Sequence, residues 1–498
     1  MWWFALLACT KPEAGVPDEN AWSGEVELTE TTTIAAGTTL TVAPGTTVTL
    51  GADVSLIVEG ELLAQGTAEA PIVFTGDPAA RWGSIVLAPG SVDATFEEVD
   101  TYVSGSILEH AIVEYATRGT LVDGASPYLH AVTFRNNELP GSIDTIGGAG
   151  LLIRDGSTAR VRECRFEDNV AVPFTFGGGM YVDHSDPILQ DNVFLRNSSV
   201  YGAGLSTDYM ASPIVGNTFQ ENETVSEGGG FSLVSTVSAV LNNAALDNHA
   251  GKDGAGMHIC VTCNPHAAPF LFDNVVTGNV SDDPNPSEGA AGVGAAYLGA
   301  MQHNDIYGNF REGEPSDFGW FHPLVEQWPD WAANPVVSDT WWGTTDEEAI
   351  SAAVWDGTDS ADFGLVSVDP VRTDPLEDPL PRAIIASRRQ HYQDAGDAIP
   401  VFLTLYNPGA ARTVTLEITL NGAPFTGAIE YPGATADEGA WTFTMPENSV
   451  WFATIDETSY DGSSLDEVVW EARLSDADGE IGVPVEARYF TAPAEDGS

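Results

Sequence analysis

The chain has 498 residues, room for one large solenoid and one further domain, and carries 73 acidic against 18 basic side chains for a formal net charge of −55. Such a surface repels nucleic acid, anionic lipid and polyanionic glycans, which argues against all three as partners. It favours divalent cations and neutral or cationic partners, and Lys11 and Lys252 are the only lysines.

In chain order the first feature is an apolar start, Trp2-Trp3-Phe4, that runs into Leu6-Leu7-Ala8-Cys9. This stretch resembles a bacterial lipoprotein signal, with Leu6 to Cys9 as its lipobox. The resemblance implies a signal peptide over 1–8, lipidation of Cys9, a tether over 9–23, and an exported protein at the outer membrane or cell surface. The stretch departs from the pattern in being very short, with no Lys or Arg before it. Membrane contact is expected through that anchor alone, since no apolar run is long enough to span a bilayer.

Residues 24–370 are predicted to form one solenoid. Leu40 to Leu50 alternates between apolar and polar residues, and Val54 to Leu63 and Pro71 to Thr75 continue as short strands broken by Gly60 and Gly66. Downstream an apolar-x-x-Asn signature repeats at Phe134…Asn137, Phe166…Asn169, Phe194…Asn197, Phe219…Asn222, Ala245…Asn248, Val276…Asn279 and Ile306…Asn309. The asparagines lie 32, 28, 25, 26, 31 and 30 residues apart. Glycine pairs such as Gly177-Gly178-Gly179 and Gly202-Ala203-Gly204 alternate with them. Short strands, turns and that period specify coils of a parallel β-helix, each burying its apolar face on its neighbours.

Rungs in such a stack lie about 4.8 Å apart, so an amide repeated at one position donates to one rung and accepts from the other. Asn137, Asn169, Asn197, Asn222, Asn248, Asn279 and Asn309 are therefore a predicted structural ladder. Asn192, Asn217, Asn243, Asn274 and Asn304 are a parallel one, with Cys164 as a buried thiol at the same place. The four phenylalanines should stack inside.

The run from Ala43 to Leu87 resembles the N-terminal coils of bacterial right-handed parallel β-helix surface proteins in the pectin lyase-like superfamily. Thr340 to Gly364 is similar to the segment that closes such helices. The Phe-x-x-Asn and Gly-Gly-x repeats resemble those of the polymorphic outer membrane proteins, a family of adhesins. The resemblance implies a right-handed helix; it implies little about activity, because one fold hosts many functions.

Candidate chemistry is sparse. Asp183, Asp186 and Asp208 follow strands in neighbouring coils, where a glycosidase pair about 5–9.5 Å apart is attainable. Trp320, Trp328 and Trp331 belong to a tryptophan-rich stretch, with a choice between stacking on sugar rings and capping the solenoid's open end. Cys260 and Cys263 form a C-x-x-C expected to close as a local disulfide, with a metal site as the alternative. No cofactor is required, and calcium is a candidate ligand of the loops Asp183–Asp186 and Asp476–Glu480.

A proline-rich acidic linker over 371–382 leads to strand patterns over 383–498, which suggest an Ig-like β-sandwich. The expectation is an all-β, monomeric surface protein with a non-catalytic role in adhesion, envelope organisation or polysaccharide binding. The alternative is a polysaccharide hydrolase or lyase of the pectin lyase-like superfamily.

Overall fold

The computed structural model describes residues 20–140, 146–171, 175–259, 269–284, 289–296, 298–321, 334–360, 363–387, 398–437, 439–459 and 466–491. Short strands stack coil on coil into a right-handed parallel β-helix. A typical coil places Ile188–Gln190 on face 1, Val193–Leu195 on face 2, Ser198–Tyr201 on face 3 and Leu205–Asp208 on face 4. Among the described residues faces 1 and 4 hold twelve strands each, face 2 holds eleven, and face 3 holds eight, beginning at Glu138–Leu139 and ending on the antiparallel Glu314–Pro315. The register is parallel and unshifted along faces 1, 2 and 4, as in Phe166↔Phe194↔Phe219.

The residue before each ladder asparagine carries the turn. Asn136, Asp168, Arg196, Glu221 and Asp247 have φ between 52° and 55°, and Gly278 and Gly308 have φ of 73° and 66°. This left-handed residue turns the chain from face 2 to face 3, and the next side chain points inward to satisfy the backbone around the bend. Asn197 Oδ1 accepts from the backbone N–H and the amide of Asn169 at 3.1 and 2.9 Å. Its own amide donates to Phe166 O at 2.9 Å and to Asn222 Oδ1 at 3.0 Å. The same pattern runs from Asn137 to Asn309, every member fully buried.

A parallel ladder between faces 1 and 2 joins Asn192, Asn217, Asn243, Asn274 and Asn304. Cys164 opens it, its N–H donating to Asn192 Oδ1 at 2.9 Å, and burial pushes its thiol up to about 12. Inside, Phe134, Phe166, Phe194 and Phe219 stack with centroids 4.7–5.0 Å apart. Beside each ladder amide sits a glycine where no side chain fits. A Cβ on Gly204 would lie 2.4 Å from Gly230 O and 3.3 Å from Asn222 Nδ2.

The main ladder ends on a carboxylate. Asp317 Oδ1 accepts from Asn309 N–H at 2.9 Å and Nδ2 at 2.8 Å, and burial pushes this carboxyl up to about 6 although both bonds oppose the shift. A folded-state value above the unfolded 3.8 means the stability it contributes is complete below about pH 4 and is lost as pH rises through about 6. Asp317→Asn keeps the acceptor and cannot ionise. It is expected to match the wild type at pH 4 and to exceed it in urea denaturation at pH 8; equal midpoints at both values would refute the assignment.

The C-terminal end of the solenoid is closed by residues of the stretch read as a cap. Val354–Trp355 pairs with Phe318–Gly319 on face 4, Trp342 is buried, and Asp346 caps the short helix Glu347–Ala353 through the N–H groups of Glu348 and Ala349.

Beyond it lie two antiparallel sheets compatible with a sandwich. One joins Arg382–Ser387, Ala398–Asn407 and Ser449–Ser459; the other is built around Arg412–Leu420, Ala440–Met445, Asp466–Asp476 and Gly479–Thr491. Leu403, Leu416, Trp441 and Trp470 lie in their shared core. That core continues into Val215, Leu241, Phe270 and Phe272, which point outward from face 1, so the sheets sit directly on the solenoid. Arg382, assigned to the linker from sequence, instead opens the first strand. Its guanidinium is buried against Asp273 of the solenoid at 3.2 Å, which fixes the join.

Candidate functional site

Outward residues of face 1 change character along the stack. In register they read His130, Arg162, Gln190, Val215, Leu241 and Phe272. The last three are covered by the sandwich, His130 and Arg162 stay partly exposed beside its edge, and Gln190 between the two groups is buried. Gln190 Nε2 reaches that edge, donating to Asn448 O at 3.2 Å.

A hairpin, Thr95–Glu97 with Thr101–Ser104, is inserted between faces 4 and 1 and folds over this polar stretch. Phe96 meets Tyr128 edge-on at 5.3 Å, and Tyr102 stacks on Tyr128 at 5.9 Å. Between hairpin and face 1 lies a shallow cleft with an enclosed volume of about 10 Å3, lined by Phe96, Asp100, Tyr128, Arg160, Arg162, Ile188 and Gln190. Arg160 donates to Asp100 Oδ1 at 3.0 Å and to Val99 O at 2.6 Å, and its guanidinium lies 3.8 Å over the Phe96 ring. Arg162 approaches Asp100 Oδ2 at 3.6 Å. Burial raises the Asp100 carboxyl, against the pull of both arginines. The cleft therefore presents an aromatic wall beside one carboxylate, two guanidinium groups and an amide, each held by its neighbours.

Asp183 and Asp208 stand in register on adjacent rungs at the end of face 4, below Asp123 and Arg154 in the same row. Asp183 Oδ1 is 2.6 Å from His184 Nδ1, and the His184 ring stacks on Tyr209 at 4.4 Å. Burial, then the Asp183 charge, push the Asp208 carboxyl up to about 6, opposed by His184 and the Tyr209 N–H. Asp208 Oδ1 is buried without a hydrogen-bond partner. Asp186 is set apart from this pair, its Oδ1 accepting from Ala211 N–H at 2.7 Å.

Trp320 is 1% exposed and inside the core, so its indole offers no face to a sugar. Of the two alternatives the sequence offered for this residue, a buried place on a face 4 strand fits capping the solenoid and not stacking on a sugar. Trp328 and Trp331, Cys260 and Cys263, and Cys9 lie outside the described residues. At the other expected calcium loop, Asp476 Oδ1 accepts from Asp478 N–H at 2.9 Å and Glu480 lies 3.6 Å from Arg473.

The sequence reasoning missed the cleft. Arg160 and Arg162 carry no signal of it along the chain, because their acidic partner, Asp100, comes from a hairpin 60 residues upstream of Arg160.

Residues 99–310 match the family described as "Right handed beta helix region". No curated protein matches the chain. Among solved structures it is similar to the Dettilon tailspike protein, at 9% identity and a TM-score of 0.26, covering 94% of this chain and 87% of that one. It is also similar to a double-mutant tailspike protein of E. coli bacteriophage HK620 in complex with a pentasaccharide, at 12% identity and a TM-score of 0.22 over 86% of each chain. By its strand stacks, and by the family match over residues 99–310, the solenoid part of the chain folds as a right-handed parallel β-helix.

Proposed function

We propose that this is a surface protein, anchored through a lipid on Cys9, that binds a neutral or weakly charged polysaccharide in the face 1 cleft without cleaving it. The observation that carries the reading is the cleft's composition. The partly exposed Phe96 ring offers an apolar edge to a pyranose, while Asp100 and Arg162 present an acceptor and donors for hydroxyl groups. The overall charge of −55 argues against a polyanionic glycan, and the two arginines offset the Asp100 carboxylate within the cleft.

A glycan array run with the purified protein tests this. Arg162→Ala is expected to weaken binding to the best array ligand at least about tenfold while leaving the circular dichroism spectrum unchanged. Retained affinity in this variant would move the site elsewhere.

The Asp183 and Asp208 pair supports the second reading, a glycoside hydrolase. Carboxylates on adjacent rungs stand about 4.8 Å apart at the backbone, near the about 5–5.5 Å of retaining enzymes, and a carboxyl pushed up to about 6 suits a general acid. On that reading the protein releases reducing sugar and Asp208→Asn abolishes the release. On the first reading neither protein releases any.

A further inference from the structure

Face 4 changes chemistry part way along its outer side. The residue before the glycine turn is Phe176 in one coil, then Tyr201 and Glu227 in register. Asp253 stands at the same place in the following coil, where its carbonyl accepts from Gly228 N–H at 3.2 Å. On the strand after the turn the matching outward row reads Tyr181, Ser206, Ser232 and His258. In the upper coils these two rows meet as an aromatic cluster, with Phe176 stacked on Tyr181 and Tyr201 at 5.4 and 5.3 Å. Two coils further on the same junction holds two carboxylates and an imidazole.

The side chains of Asp253 and His258 are 3% and 5% exposed, and that of Glu227 is 27% exposed. One ligand atom from each lies within 4.8 Å of the others. The ring of His258 is oriented from behind, its Nδ1 3.1 Å from Ser232 Oγ. Its Nε2 is thereby aimed between Glu227 Oε2 and Asp253 Oδ1, at 3.9 Å from each. That is too long for a hydrogen bond and of the order expected for two ligands of one ion. Lys252 contributes little to neutralising the pair, its Nζ lying 3.9 Å from Glu227 on an exposed side chain.

We propose that Glu227, Asp253 and His258 bind a divalent transition cation of the zinc or manganese class. Two ligands at about 2.0–2.2 Å from one ion stand at most about 4.4 Å apart, so side-chain rotations must draw the three atoms together from separations of up to 4.8 Å. An imidazole ligand disfavours calcium and magnesium, which take oxygen, and the serine behind Nδ1 is the outer partner that metal-bound histidines use. Because the ligands come from two successive coils, the ion would staple one rung to the next.

The test is calorimetric titration of zinc and of manganese into the chelator-treated full chain, in excess calcium so that scattered surface carboxylates are already occupied. One saturable equivalent of zinc or manganese is expected, absent in His258→Ala and in Glu227→Gln and weakened about 10–100-fold in Ser232→Ala. Glu227 is partly exposed, so its variant is expected to fold and to decide the matter if His258→Ala does not. No saturable binding in excess calcium, or unchanged binding in Glu227→Gln, overturns the proposal.

Discussion

Replacing Arg382 with leucine is expected to destabilise the protein by about 3–5 kcal/mol, the cost of breaking a buried pair and leaving one charge behind. Asp273 is fully enclosed, and Arg382 grips it in a two-pronged contact of 3.2 Å on each oxygen, with its guanidinium carbon 4.9 Å from the centre of the Phe272 ring. His303 also bonds Asp273, which places the loss toward the lower end. The pair joins the solenoid to the first strand of the sandwich, so its loss should loosen that junction before the coils melt. Urea denaturation of Arg382→Leu, of Asp273→Leu and of the double variant checks it. The double variant should recover part of either single loss, because no unpaired charge remains. A single variant as stable as the wild type would show that the junction does not depend on the pair.

The second large effect is expected at Asn197→Leu. Four hydrogen bonds are lost at once, from the N–H and the amide of Asn169 and to the carbonyl of Phe166 and Oδ1 of Asn222, although the Asn169 amide keeps Phe134 O and Asn222 Oδ1 keeps the Asn197 N–H. Each unsatisfied buried group costs about 1–3 kcal/mol, so with partial relaxation a loss of about 3–6 kcal/mol is expected. Leucine is also the wrong shape beside Gly179, whose position already lies 3.2 Å from Asn197 Nδ2 at an added Cβ. An unchanged denaturation midpoint would mean that the bonds of the ladder are individually dispensable.

What repeats was legible in the sequence, and what depends on a single contact was not. Asn197 could be read as a ladder member because Asn169 and Asn222 recur at the same phase, and the stacked rings of Phe166 and Phe194 follow from the same period. Asp100 and Phe96 gave no such signal: they sit in a hairpin that interrupts the period, and their meeting with Arg160 depends on how that insertion folds back. His258 stands beside the C-x-x-C in sequence, but its carboxylate neighbours come from the turn before it and from the previous coil, so spacing along the chain did not bring the three together. The docking of the sandwich was hidden for a related reason. Val215, Leu241 and Phe272 read as ordinary strand residues, and only their register shows that they form one outward apolar row.

The central claim is that the cleft holds a polysaccharide and leaves it intact. The most direct measurement incubates the purified protein with its best array ligand and follows the oligosaccharide by mass spectrometry, with Arg162→Ala and Asp208→Asn in parallel. The account predicts that the wild type and Asp208→Asn retain the ligand at its full mass over the whole time course, while Arg162→Ala fails to retain it. Shortened oligosaccharide from the wild type that disappears in Asp208→Asn would contradict it.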